Sequence, residues 1–393
     1  MNAALQTMAK KHIIERIWAH DHTVWKPDPR DITNRLGWLR IAEAMRDNVD
    51  RLEALADDVR AAGYTHTLLL GMGGSSLTPE MFRKTFGVGK GYMDLAVLDS
   101  TDPGAVLAHA QRLDPKRSLF VVATKSGGTV ETLSFFKFFY NWMTADQGAE
   151  RAGEHFVAIT DQGSKLDDMA KRYHFRATFL NDPNIGGRDS ALSYFGLVPA
   201  ALIGVDVRCL LDRATEMAIA CAADVRAEQN PAAFLGAVLG ELSKMGRDKV
   251  TILASPGLDS FGDWAEQLIA ESTGKEGKGI LPVVGEALGT PDVYGDDRLF
   301  VYLRLPGGDR TLDDRVSALQ AAGNPVVEAR FYDRYDLGGQ IFLWELAVAV
   351  AGHVLGINPF DQPNVEAAKV LARQMVAEYM VQGVLLDATP DVT

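Results

Sequence analysis

Cysteine is nearly absent from this chain, with only Cys209 and Cys221 among 393 residues. Two thiols make neither a disulfide framework nor a zinc site, and such scarcity fits a reducing, cytoplasmic setting. A basic excess is also missing: 40 Lys and Arg stand against 52 Asp and Glu, a formal charge of −12. That balance excludes a general surface for nucleic acid or anionic membrane. Any anionic ligand must therefore be drawn in locally, by loops and individual cations. No membrane-length apolar run occurs. Lys10, Lys11, Glu15 and Arg16 interrupt the N-terminus, so no signal peptide is read there. The most apolar segment, Ile341 to Ile357, carries Glu345 and His353 and is too short to span a bilayer, so it reads as a buried helix. Low-complexity tracts and short tandem repeats are absent.

What is present begins with two glycine-rich loops. The apolar run Leu119 to Ala123 breaks into Thr124-Lys125-Ser126-Gly127-Gly128-Thr129, and a helical pattern follows at once. A buried parallel strand reads this way, with the loop at its carboxyl end facing a ligand crevice. Glycines let backbone approach an anion, and the helix starting near Thr129 aims free N–H groups at it. The spacing is neither that of a nucleotide P-loop nor the dinucleotide fingerprint, so a small phosphorylated ligand fits better. Ordinary capping of a helix by Ser and Thr is the competing reading. A second loop, Gly71-Met72-Gly73-Gly74-Ser75-Ser76, repeats the strand–turn–helix pattern, with Pro79 suited to a first helical turn. Two such loops in one βαβ succession converge on one ligand at a topological switch point.

Alternating strands and helices place the chain in the α/β class with parallel sheets. Residues 1–60 read as a helical extension pinned by Trp18, Trp25 and Trp38. A first unit, 61–205, offers strands at Thr67–Leu70, Met93–Leu98, Leu119–Ala123, Phe156–Ile159 and Ala177–Leu180, hence a five-stranded doubly wound sheet. A second unit, 206–370, opens with a helical bridge from Asp206 to Met245, broken at Asn230-Pro231. Strands follow at Lys249–Ala254, Arg298–Leu303 and Pro325–Ala329. A C-terminal helix and tail occupy 371–393, loosely held after Gly383.

The string from Ser260 to Lys275 carries the chemistry. Gln267 and Glu271 are four apart and share one helical face. The helix should stop near Gly274, which puts Glu271 in its last turn, against the negative end of the dipole. Burial there would raise its proton affinity and suit a general base. An ordinary i,i+4 bridge from Glu271 to Lys275 is the alternative.

This string, the two loops and Asn358-Pro359-Phe360-Asp361-Gln362-Pro363-Asn364-Val365-Glu366-Ala367-Ala368-Lys369 together resemble the glucose-6-phosphate isomerase (phosphoglucose isomerase) family. The resemblance runs from about Ala19 to Ala377, with the motifs in the family's order. It is closest to the isomerase portion of bacterial transaldolase/phosphoglucose isomerase fusions, although no transaldolase portion is recognisable. The resemblance implies two sugar-isomerase (SIS) domains, each a flavodoxin-like α/β/α sandwich, with helical extensions. It implies a homodimer, no metal or organic cofactor, a transaldolase as partner or fused domain, and a place in glycolysis and gluconeogenesis. By motif, Gly74, Ser75, Thr124, Lys125, Ser126 and Thr129 would hold a sugar phosphate. Glu271 would be the base with Gln267 beside it, Arg188 would sit by the reacting carbons, and Lys369 would touch a sugar hydroxyl.

The expected reaction is reversible isomerisation of D-glucose 6-phosphate and D-fructose 6-phosphate through a cis-enediol. A carboxylate moves the proton between adjacent carbons, and a guanidinium stabilises the enediolate. Two departures stand out. The family's ring-opening histidine belongs in the segment Gly338 to Glu345, which has none, so ring opening falls to Lys369, another group or water. Asp189 follows Arg188 where the family usually places an aromatic residue. The rival readings are an isomerase of another phosphorylated aldose, such as mannose 6-phosphate, and a non-catalytic SIS sensor. The sensor would lack a use for Glu271 and usually carries a basic DNA-binding helical module, which is not seen here.

Overall fold

The computed structural model describes residues 2–384. Helices α1 (Asn2–Lys10), α2 (Ile13–Trp18), α3 (Ile41–Arg46) and α4 (Val49–Ala61) form the N-terminal extension. Its tryptophans anchor it as expected. The Trp18 indole donates to the Cys221 carbonyl at 2.9 Å and that of Trp25 to Ala349 at 2.8 Å, while Trp38 is fully buried beside Phe342.

The first sheet comprises β1 (His66–Gly71), β2 (Asp94–Leu98), β3 (Ser118–Ala123), β4 (Phe156–Asp161) and β5 (Ala177–Asn181). All pairs are parallel, in the order β2-β1-β3-β4-β5. Interleaved are α5 (Gly74–Phe86), α6 (Pro103–Arg112), α7 (Val130–Gln147), the short α8 (Ala149–Ala152), α9 (Lys165–Arg172) and α10 (Tyr194–Leu202). Strand alternation sorts the side chains onto two faces. Leu68, Leu70, Phe120, Val122 and Phe156 meet α7 and α9, where Phe120 stacks between Phe139 and Phe156 at 4.9 and 5.0 Å. Leu69, Val121, Val157 and Ile159 face the main core with α4, α5 and α10.

Two bridging helices, α11 (Val207–Ala220) and α12 (Pro231–Lys244), lead to the second sheet. The break between them is wider than Asn230-Pro231, because α11 ends at Ala220; Asn230 caps α12 by accepting from the Ala233 N–H. The second sheet holds β6 (Lys249–Ala254), β7 (Leu281–Val284), β8 (Arg298–Arg304) and β9 (Val326–Arg330), parallel in the order β7-β6-β8-β9. Helices α13 (Ser260–Thr273) and α15 (Asp336–Leu355) pack on its inner face and α14 (Arg310–Ala321) on its outer face. The inner faces of both sheets thus share one continuous core.

Four expectations need correction. Strand β7 is absent from the sequence reading because Pro282 sits in it; β7 is an edge strand, where a missing N–H is tolerated. Pro79 lies inside α5 rather than in a first turn, since the helix already begins at Gly74. Helix α15 starts at Asp336 and, at 20 residues, is long and apolar enough to cross a bilayer by length and composition, yet nearly all of it is core. Finally, α16 (Pro363–Gln382) opens with Pro363 in its first turn, so a cut at 370/371 falls inside a helix. The loosely held tail expected after Gly383 falls, beyond Val384, outside the described residues.

Candidate active site

Both glycine loops leave the carboxyl ends of β1 and β3, neighbouring strands whose connections run to opposite sides of the sheet. The first loop is pressed against two other segments. Gly73 has φ +59°, and a Cβ on it would lie 2.7 Å from the Gln267 amide nitrogen. A Cβ on Gly74 would overlap the Gly187 carbonyl oxygen. Only glycine allows this approach, and it brings loop, Arg188 segment and α13 together. Ser75 is buried in the first turn of α5.

In the second loop, Gly127 has φ +64° and its α-carbon faces the backbone that opens α9. Thr129 is the residue before α7, as the pattern predicts, but it makes no side-chain cap; its hydroxyl meets that of Thr124 at 3.0 Å. Ser126 is exposed and its hydroxyl accepts from the Gly128 N–H at 3.2 Å. Lys125 differs from a free phosphate cation. Its ammonium pairs with Asp161 and donates to the Pro183 carbonyl at 2.8 Å. Burial pushes the Asp161 carboxyl above its ordinary value, against the pull of Lys125.

Glu271 occupies the last turn of α13, 29% exposed. One carboxylate oxygen accepts from the Gln267 amide at 3.0 Å, and the other lies 3.4 Å from the Arg188 Nε. The alternative bridge to Lys275 is not made. Lys275, 4% exposed, instead pairs with the Asp361 carboxylate at 2.6 Å and donates to the Asp361 carbonyl at 2.9 Å. Burial draws its ammonium below the ordinary lysine value, while Asp361 opposes that.

Arg188 is 3% exposed, and its five N–H donors can be assigned. Nη1 donates to Ser272 Oγ at 2.8 Å and the Pro359 carbonyl at 3.1 Å. Nη2 donates to the carbonyls of Phe360 and Asp361 at 2.8 and 3.1 Å. Only Nε–H is left without a hydrogen-bond partner, on the side of Glu271. The guanidinium is thus fixed by its far end and shows one donor to the carboxylate. This anchoring by residues 359–361 lies beyond sequence reasoning, since carbonyl acceptors leave no signature in residue identity.

Lys369 is not brought to this cluster. It lies exposed on α16, where every residue from 367 to 382 is exposed. No histidine among the described residues is hydrogen-bonded to Glu271 or Arg188. His353 is half-buried and its ring bonds the Val24 carbonyl at 2.7 Å, while desolvation lowers its proton affinity.

The arrangement offers a carboxylate with one oxygen held by an amide and a guanidinium behind the other, beside the Gly73-Gly74 loop. It fits proton transfer at a carbon whose neighbouring oxygen becomes negative. The family profile described as phosphoglucose isomerase matches residues 9–280. A glucose-6-phosphate isomerase from Parasynechococcus marenigrum is 32% identical over 90% of this chain and 74% of its own length. Among solved structures, a hypothetical protein from Thermus thermophilus superposes with a TM-score of 0.82 at 24% identity, covering 96% of this chain and 97% of its own. A glucose-6-phosphate isomerase from Chlamydia trachomatis superposes with a TM-score of 0.73 at 22% identity, covering 94% of this chain and 78% of its own.

Proposed function

The chain belongs to the phosphoglucose isomerase family, and from that membership we propose its chemistry: interconversion of D-glucose 6-phosphate and D-fructose 6-phosphate through a cis-enediolate, with Glu271 as the base. Its two parallel-sheet sandwiches are of the SIS type. The observation that supports the base assignment is the double hold on Glu271, by Gln267 at 3.0 Å and by Arg188 at 3.4 Å, beside the Gly73-Gly74 loop.

With the open-chain aldose bound, Glu271 takes the C2 proton and returns it to C1, while the carbonyl and hydroxyl oxygens exchange roles through solvent or a neighbouring group. Gln267 fixes the carboxylate rotamer. Arg188 contributes a permanent positive charge beside the developing enediolate, by Nε–H and by its field, since its terminal nitrogens are occupied. The backbone at Gly74 and the hydroxyls of Ser75, Thr124, Ser126 and Thr129 grip the phosphate, whose binding energy is used for positioning. Lys125 offsets the phosphate charge from within its pair with Asp161.

Helix α16 exposes Leu371, Met375 and Tyr379, four residues apart along one face. A second copy of this chain is the proposed cover, and Lys369 would reach a sugar hydroxyl in that dimer. Residues 1–60, 61–205 and 206–370 serve as extension, phosphate-loop domain and base-bearing domain. Cytoplasmic operation, and association with a transaldolase as partner or fused domain, complete the proposal.

The test is a coupled assay with both sugar phosphates and a panel including mannose 6-phosphate. Glu271→Gln should still bind 5-phosphoarabinonate, an enediolate mimic, yet lose solvent exchange at C2, with kcat lower by about 10²–10⁴-fold. Retained exchange would reassign the base, and no turnover by the unaltered protein would remove the isomerase reading.

A further inference from the structure

Glu345 has no part in the chemistry above, yet it is the most isolated acid among the described residues. It lies in the middle of α15, 2% exposed, and neither carboxyl oxygen has a hydrogen-bond partner. A carboxylate so placed would lose its hydration with nothing in return, which costs far more than burying a neutral acid. Helices α11, α12 and α13 pack around α15, and none brings a charge to bear on Glu345. The charge that does reach it comes from Asp189, 6% exposed, immediately after Arg188. Asp189 in turn feels Arg188, Arg35, Glu271 and Glu345.

Resting on the isomerase reading, we propose that Glu345 is a positioning residue: it keeps its proton, so that the buried Asp189–Glu345 pair carries at most one negative charge beside Arg188. The charge count shows why this matters. Arg188 and Lys275 balance Glu271 and Asp361. With Arg35 matched by Asp31 at 3.1 Å, an ionised Asp189 makes the site negative by one. A second negative charge on Glu345 would oppose the enediolate that Arg188 must stabilise. Desolvation lifts Asp189 to about 6, against the pull of Arg188 and Arg35. Desolvation first, and Asp189 second, lift Glu345 well above the ordinary glutamate range. Loss of the second proton, from Glu345 after Asp189, is therefore the event at higher pH that weakens catalysis, acting through Arg188 rather than on substrate.

The experiment joins infrared spectroscopy of the full-length protein with pH profiles of kcat/KM. At pH 8 the unaltered protein should show the C=O stretch of a protonated carboxylic acid; Glu345→Gln should abolish it, and Asp189→Asn should shift its frequency. In kinetics, the unaltered protein should lose about tenfold in kcat/KM across an alkaline step that Glu345→Gln lacks. Asp189→Asn should remove a step near pH 6. The substrate phosphate titrates there too, equally for every variant, so the difference between profiles isolates Asp189. Absence of the acid band, a band untouched by both variants, or superimposable profiles would overturn the proposal. The band needs no turnover, so an inactive protein that still shows it would sink the isomerase reading and leave the pair intact. Should Glu345→Gln fail to fold, Asp189→Asn alone decides through the band frequency.

Discussion

Replacing Gly74 by alanine probes the contact that joins the phosphate loop to the Arg188 segment. The added methyl would overlap the Gly187 carbonyl oxygen and lie 3.0 Å from its carbon. Restoring ordinary contact requires the two backbones to part by roughly 1 Å. Gly187 precedes Arg188, whose guanidinium is held at its far end by four hydrogen bonds. The side chain must therefore tilt rather than follow, and its 3.4 Å approach to Glu271 changes. A misplacement of that size costs on the order of 100-fold in rate, or about 2.7 kcal/mol of transition-state stabilisation. Overpacking should remove a further 1–3 kcal/mol, roughly, from folding stability. The assay is conversion of fructose 6-phosphate coupled to a glucose-6-phosphate dehydrogenase, with a thermal melt on the same sample. Gly187→Ala is the matched control, because a Cβ there meets nothing within 4 Å. A folded Gly74→Ala protein within about threefold of unaltered kcat/KM would refute the reasoning, as would an equal loss in Gly187→Ala.

Other perturbations test the surroundings. Asp361→Ala leaves the Lys275 ammonium buried and unpaired, and should cost about 3 kcal/mol in denaturant unfolding. Trp25→Ala removes a buried ring set edge-on to Phe360 at 5.0 Å; a loss of about 3–5 kcal/mol is expected, with a fall in kcat because Phe360 supplies an Arg188 acceptor. Asp189→Asn should stabilise the protein at pH 7. A folded-state value raised to about 6 means the folded form holds that proton more tightly, so the acid's contribution is full below pH 4 and lost as pH rises through 6. The gain of the variant, up to about 3 kcal/mol, should therefore vanish toward pH 4 in a series of melts.

The first sheet was legible because its strands are short apolar runs ending in glycine, hydroxyl or aspartate turns, and the observed strands depart from the expected spans by one or two residues. Helix α13 was legible for similar reasons: Gly274 stops it and the Gln267–Glu271 spacing sets the face. Signals of that kind are local. Pairings across distant segments are not, and there the sequence misleads. Lys275 lies four residues from Glu271 but bonds Asp361, and Lys125 lies in a phosphate-type loop but bonds Asp161. Each choice depends on which chain segment arrives from elsewhere, as does the exposure of Lys369 on α16.

The anchorage of Arg188 has a consequence for sequence drift. Three of its four terminal hydrogen bonds end on main-chain oxygens, at Pro359, Phe360 and Asp361. Any amino acid presents such an oxygen, so as far as the guanidinium is concerned these three positions are interchangeable in chemistry. What must persist is the route the chain takes after α15. An insertion or deletion between Gly356 and Pro363 would disable the site more thoroughly than any exchange of side chains within it.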